Sequence, residues 1–266
     1  MRPLKLNLKL IKLFEFTFIF LFFPLLVYAG SPPWQVFKST HFLISYKSAK
    51  ESQLDQLSSR AEEYYNKITD DLGFNRFDFW TWNNRARIYL FDNQQEYMSA
   101  TGDPVWSGGQ AQVNSKLIQT FITAKGFIEN VLPHEMAHII FREMVGFNNP
   151  CIPLWLDEGV ASFQGKNISF NKTDLANRIE RGGFLSLDDL NKTLSVTSET
   201  TGGAELFYSE AYSLVRYLIT TFGKDKFVLF CQNLRDKKNL SRALVSTYSF
   251  NSLADFENSW KRYILK

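Results

Sequence analysis

The chain has 266 residues, of which 45% are hydrophobic and 21% are charged. This composition excludes an intrinsically disordered chain, and the length suits one substantial domain. The formal net charge is +3, but four of the 30 basic and one of the 27 acidic residues lie in the first 29 positions. The remainder carries 26 charges of each sign, so its net charge gives no indication of binding to nucleic acid or anionic lipid.

Residues 1–29 have the features of a signal peptide. Four basic residues precede residues 16–27, which run almost without a polar group and end at a small-residue cleavage pattern, Val27 and Ala29. An apolar run of this length, interrupted by Pro24, is short for a membrane span and suits the h-region of a secretory signal. We therefore expect an extracytoplasmic protein, periplasmic or secreted, with residues 30–266 as its domain and no membrane span after the leader is removed. An uncleaved N-terminal anchor is the alternative.

The first half of the domain alternates strand and helix patterns. Residues 51–74 have hydrophobic side chains at steps of three and four, which predicts an amphipathic helix, and Gly73 stands at its end. Extended patterns occupy residues 41–47, 85–91, 106–113 and 116–122. Because these strands lie close together in the chain, we expect a small mixed or antiparallel sheet lobe at about residues 34–126.

From Phe127 onward the pattern becomes helical. One helix is predicted to run to about Val145 and to end at Gly146, and the next to begin near Pro153. Further helices are predicted over residues 173–181, 206–222 and 224–236, and at the C-terminus. The fold class is therefore expected to be α+β, with the sheet lobe packed on a helical lobe of about residues 127–266.

The stretch PHEMAH places His134, Glu135 and His138 on one predicted helix. Histidines at positions i and i+4 project from the same face, so both rings can reach one ion at roughly 2.0–2.1 Å. Glu135 is badly placed as a further ligand but suits a general base that activates water. The chain has only three histidines in all, which makes a chance occurrence of this motif improbable.

A catalytic metal site needs a third protein ligand, and the sequence offers three carboxylates for it. Glu143 lies five residues past His138 on the same helix and is rotated off the histidine face. Asp157 and Glu158 lie in the stretch WLDEG on the next helix, which can cross behind the first.

PHEMAH followed by WLDEG resembles the gluzincin metallopeptidases, which include thermolysin-like enzymes, aminopeptidase-like enzymes and small peptidase MA-like domains. The resemblance implies a zincin-like fold, one Zn²⁺ bound by His134, His138 and Glu158, and Glu135 as the catalytic base. It implies hydrolysis of peptide bonds in a peptide or protein substrate, with no nucleic-acid partner. A zinc-binding module that recognises protein or an envelope polymer but has weak catalytic activity is the alternative.

The same resemblance suggests a role for a tyrosine on the later helix. Tyr208 matches best the position at which these enzymes stabilise the oxyanion, and Tyr212, one turn later, is the rival. Asp157 could orient a histidine, or it could be a solvated carboxylate at the start of a helix.

The segment SGGQAQV stands where the aminopeptidases of this group carry a substrate-binding glutamate, and it has none. An exopeptidase of that type is therefore not expected, although the segment could still pair with an extended peptide as an edge strand. Cys151 and Cys231 could form a disulfide or remain two thiols.

The predicted signal peptide has a direct test. Cleavage after Ala29 leaves Gly30 as the N-terminus, so the exported protein should have the mass of residues 30–266 in mass spectrometry. A mass that still includes the leader would identify residues 1–29 as an uncleaved anchor.

Overall fold

A five-stranded mixed sheet organises the first half of the domain. The computed structural model describes residues 32–165, 170–196 and 203–266, so the predicted signal peptide lies outside the described residues. The strands are β1 Gln35–Lys38, β2 Phe42–Tyr46, β3 Ala86–Phe91, β4 Gly109–Gln112 and β5 Leu117–Phe121. Their order is β1-β2-β3-β5-β4, with β2, β3 and β5 parallel and the two edge strands antiparallel to their neighbours. The sheet is thus mixed.

Ten α-helices accompany the sheet in the described ranges. They are α1 Glu51–Asp71, α2 Gln94–Thr101, α3 Leu132–Val145, α4 Leu154–Gln164, α5 Lys172–Glu180, α6 Leu187–Lys192, α7 Ala204–Phe222, α8 Lys224–Lys237, α9 Leu240–Tyr248 and α10 Leu253–Leu265. The predicted α+β class is therefore confirmed. The division into one domain with lobes at about residues 34–126 and 127–266 stays a prediction. None of the helices in these ranges is long and apolar enough to cross a membrane.

Helix α1 connects the parallel strands β2 and β3 and contacts both β2 and α3. Its buried residues recur at helical spacing and include Leu54, Leu57, Ala61 and Ile68. This apolar stripe faces the interior because burying it removes the most hydrophobic surface from water. The sheet and the helices that follow it therefore share one continuous core.

Helix α3 lies at the centre of the packing and contacts α1, α4, α8 and β4. It follows a π-helical turn, Phe127–Val131, and Pro133 is its second residue, within the first turn where proline is tolerated. Gly146 ends it with a φ of +97°, which other residues rarely adopt. The predicted end of this helix is therefore confirmed. Of its two histidines, His138 is buried and His134 is partly exposed.

Helices α4 and α7 pack so closely that their backbones touch. A Cβ atom added to Gly159 would lie 2.4 Å from the carbonyl oxygen of Ala211 and 2.8 Å from Cγ2 of Val215. Only glycine allows this approach. The contact fixes the position of α4, and hence of Glu158, relative to α7.

The two cysteines are free thiols. Cys151 donates a hydrogen bond to the carbonyl oxygen of Lys238 at 2.7 Å. Cys231 is fully buried on α8, and burial raises the pKa of its thiol. Of the two alternatives that the sequence left open, the structure therefore contains the pair of thiols.

Replacing Gly159 with alanine should destabilise the protein. Overpacking costs about 1–3 kcal/mol, and the better helix propensity of alanine offsets at most about 1 kcal/mol. We expect the free energy of unfolding, measured with urea, to fall by about 1–2 kcal/mol.

Gly183→Ala is the matched control, because its added Cβ meets only the Arg178 carbonyl oxygen at 3.8 Å. It should change the stability by no more than about 0.5 kcal/mol. Equal stability of the two variants would contradict the tight contact between α4 and α7.

Candidate metal centre

Two helices bring three metal-ligating side chains to one point. His134 and His138 of α3 place their Nε2 atoms 3.2 Å apart. The Oε2 atom of Glu158, on α4, lies 3.7 Å from Nε2 of His134 and 3.8 Å from Nε2 of His138. All three ligand atoms lie within 4.8 Å of one another. The structure thus brings together the three residues that the sequence proposed as ligands.

The spacing and chemistry of these three donors fit a small divalent cation. Two nitrogen ligands at 2.0–2.1 Å from a tetrahedral ion lie roughly 3.3 Å apart, close to the observed separation of the two Nε2 atoms. Two imidazoles and one carboxylate are also a donor set that catalytic zinc sites use, with a fourth position left open. The residues present therefore fit the metal that the sequence resemblance implies.

Asp157 holds His138 in place from behind. Its Oδ1 atom lies 3.2 Å from Nδ1 of His138, and its Oδ2 atom accepts bonds from Arg142 at 2.9 Å (Nε) and 2.7 Å (Nη2). A carboxylate can only accept, so Nδ1 carries the proton and Nε2 presents its lone pair to the site. Asp157 is only 9% exposed, which contradicts the alternative of a solvated carboxylate.

The charges around Asp157 decide its ionisation. Burial opposes the charged form, but the hydrogen bond from His138 and the positive charges of His138 and Arg142 outweigh it and lower the pKa of Asp157. The carboxylate therefore stays charged and can polarise the imidazole.

The two histidines titrate in opposite directions. Burial and the charge of His138 lower the pKa of His134 to about 3. Burial also opposes charge on His138, but the hydrogen bond and charge of Asp157, with those of Glu158 and Glu135, raise its pKa to about 9. The carboxylates around His138 thus favour positive charge at this position, which a cation bound at the facing Nε2 atoms would also supply.

Glu135 faces the cleft next to this cluster. The cleft has a volume of about 580 Å³ and is lined by His134, Glu135 and Tyr208, among others. Burial raises the pKa of Glu135, and the negative charge of Glu158 adds to this effect. The carboxylate is thus separate from the three ligand atoms but open to the same space.

Glu143 lies in a different environment from the residues of the metal centre. Its carboxylate accepts hydrogen bonds from Nε1 of Trp80 at 2.5 Å and from Nζ of Lys116 at 3.2 Å. These bonds connect α3 to the segments that carry Trp80 and Lys116. They also occupy both oxygen atoms of the Glu143 carboxylate. Glu143 is therefore part of the packing between elements and not of the metal centre, as its place on the helix predicted.

The structure distinguishes the two candidate tyrosines. Tyr208 lines the cleft, and burial together with the charge of Glu158 raises the pKa of its phenol. The ring of Tyr212 packs against Phe163 and Phe170, with centroids 6.2 and 5.0 Å away. Only Tyr208 of these two lines the cleft beside the metal centre.

For four residues of this region the sequence indicated no functional role. They are Arg142, which pairs with Asp157, and the cleft-lining residues Trp106, Ser162 and Glu205. Arg142 stands four residues after His138, on the same helix face, and this spacing is a signal that was available. The other three are recognisable only once the tertiary structure places them around the cleft.

Comparison with known proteins identifies one matching family and a set of similar solved structures. The model of the Peptidase MA superfamily matches residues 81–266. This match confirms the predicted resemblance to a gluzincin-like peptidase domain. No curated protein matches the chain in sequence.

Two of the similar solved structures are M1 zinc metallopeptidases. One is a two-domain enzyme variant bound to L-arginine, with 13% identity and a TM-score of 0.44 over 88% of this chain and 52% of that one. The other is a variant from Deinococcus radiodurans, with 12% identity and a TM-score of 0.41 over 86% and 50%. The chain spans about half the length of these two proteins. At these TM-scores the likeness carries no functional argument.

Replacing Asp157 with asparagine should weaken metal binding. The variant loses the charge that orients His138 and leaves Arg142 without its partner, and removing such a supporting group typically costs about 10- to 100-fold in metal affinity. We expect a loss of this size for Zn²⁺, measured by competition with a chromogenic chelator.

Asp174→Asn is the control, since Asp174 forms a salt bridge with Arg178 at 2.9 Å on the protein surface. Its Zn²⁺ affinity should equal that of the unmodified chain. Unchanged affinity in Asp157→Asn would show that His138 is oriented without this carboxylate.

Proposed function

Because the chain belongs to the Peptidase MA superfamily, we propose that it is a zinc-dependent metallopeptidase that hydrolyses peptide bonds. The observation that carries this proposal is the convergence of His134, His138 and Glu158 within 4.8 Å. Glu135 lies beside them in a cleft large enough for a stretch of peptide. A structural helix pair has no need for such a cluster of buried ionisable groups around an open space.

The proposed chemistry divides among four side chains. His134, His138 and Glu158 would hold the zinc ion, which supplies Lewis-acid polarisation of the substrate carbonyl and of the attacking water. Glu135 accepts the proton of that water as general base and then delivers it to the leaving amine. The cleft that Glu135 shares with His134 supports its use in both transfers.

Tyr208 is the proposed oxyanion donor. Its phenol lies on the wall of the cleft. A tyrosine is protonated at neutral pH at its ordinary pKa, and burial raises the pKa of Tyr208 further. A neutral phenol can donate a hydrogen bond to the oxygen that gains negative charge during the attack. The role complements that of Glu135, which handles protons on the water and the amine.

Strand β4 is the proposed binding edge for the substrate backbone. In the described part of the chain, it pairs with β5 on one side only and contacts α3. An extended peptide can add to such an edge through main-chain hydrogen bonds. The segment has no glutamate to hold a free amine, which favours cleavage within a chain over removal of single N-terminal residues.

We also propose that the enzyme acts outside the cytoplasm. The support is the leader of residues 1–29, with its basic start, apolar centre and small-residue cleavage pattern. If the leader is retained, the domain would be tethered to the membrane surface.

Glu135→Gln is the decisive variant. It keeps the shape of the side chain but removes the base, so hydrolysis of casein should fall by about 10²- to 10⁴-fold. Zinc content, measured by mass spectrometry of the metal, should stay at one ion per chain. Glu129→Gln is a matched control, because Glu129 is exposed on the turn before α3, and its activity should match that of the unmodified chain.

Two other outcomes would change the assignment. One bound zinc ion with no casein hydrolysis above the level of Glu135→Gln would support the binding module that lacks catalysis. Absence of zinc from both the unmodified chain and the variant would overturn the metal site itself.

A further inference from the structure

An exposed tryptophan stands at the rim of the catalytic cleft. Trp106 is 86% exposed and its neighbour Val105 is 66% exposed. In contrast, three other tryptophans of the chain are almost completely buried, namely Trp80, Trp155 and Trp260. An exposed indole beside a second exposed apolar side chain at the edge of a cleft is typical of a binding site.

The segment that carries Trp106 is held in a defined conformation. The hydroxyl groups of Tyr97 and Ser107 both donate to the carboxylate of Asp103, and the bond from Ser107 is 2.8 Å long. Nε2 of Gln94 donates to the carbonyl oxygen of Val105 at 2.5 Å. The tryptophan therefore extends from a fixed backbone, and binding a ligand need not order the segment first.

This segment opens onto the proposed catalytic residues. Trp106 lines the same cleft as His134, Glu135 and Tyr208. Ser162 lines it too, and its buried Oγ atom has no hydrogen-bond partner in the part of the chain that the structure describes. The cleft thus combines an apolar rim with polar groups, which suits a ligand with a polar backbone and an apolar side chain.

We propose that Trp106 is a specificity-determining residue that, with Val105, binds a large apolar or aromatic side chain of the substrate next to the scissile bond. The inference rests on the proposed peptidase function and adds a substrate class to it. The indole face offers broad contact and favourable ring-to-ring geometry to an aromatic group. Acidic side chains are disfavoured, because the described lining residues include Glu135 and Glu205 but no lysine or arginine.

The test uses the full chain loaded with zinc and pairs of peptides. The two peptides of a pair differ only in having Phe or Ala at one position next to the scissile bond, and one pair is made for each side of the bond. We expect kcat/KM to favour the Phe peptide roughly tenfold, a typical discrimination for an apolar contact. Trp106→Ala should bring this ratio close to one while still cleaving the Ala peptide. Trp106→Phe, which keeps an aromatic ring, should restore most of the preference.

Trp82→Ala is the matched control, since Trp82 is 82% exposed but is not among the residues that line the cleft. It should keep the full preference for the Phe peptide. A preference that survives in Trp106→Ala, or equal cleavage of both peptides by the unmodified chain, would overturn the inference and leave the peptidase function standing.

A separate binding measurement distinguishes failure of the inference from failure of the function. If the unmodified chain cleaves neither peptide, the proposed function fails, and the affinities of Glu135→Gln for the two peptides decide the role of Trp106. Tighter binding of the Phe peptide that is lost on adding Trp106→Ala would support the contact, and equal affinities would overturn it.

Discussion

The buried pairing of Asp157 with His138 and Arg142 is the interaction on which the candidate site depends. It joins α4 to α3, fixes which nitrogen of His138 faces the site, and places the neighbouring Glu158 beside both histidines. Removing one partner of such a buried group leaves an uncompensated charge, which is strongly destabilising. The same contacts therefore hold the two helices together and position the ligand atoms.

Local periodicity made the long elements of the fold predictable. The amphipathic helices α1, α3 and α7 have sufficient length for their apolar stripes to be evident, and glycine marks where α3 ends. Other elements lack that signal. Only Tyr97 is buried in α2, and β1 is mostly exposed at the edge of the sheet, so neither shows a recognisable pattern. These two form because neighbouring elements hold them, which a local sequence pattern does not record.

The site was predictable to the extent that it depends on helical spacing. His134 and His138 share a face by geometry alone, and the family resemblance indicated Glu158. The choice between Tyr208 and Tyr212 required the position of α7. Residues one turn apart share a helix face, and only the neighbouring elements determine which of them lines the cleft. The exposure of Trp106 likewise depends on a segment held by hydrogen bonds to distant side chains. Such relationships arise from tertiary packing and have no local signature.

The contact between Gly159 and the backbone of Ala211 has a thermodynamic consequence for metal binding. It lies one residue from Glu158, so the third donor is in position only while α4 is packed against α7. An unfolded chain lacks the site, and binding of an ion is therefore linked to folding. An ion present at a hundred times its dissociation constant would add about 2.7 kcal/mol to the stability of the domain. Chelation would then empty the candidate metal centre and lower the stability of the helical core in the same step.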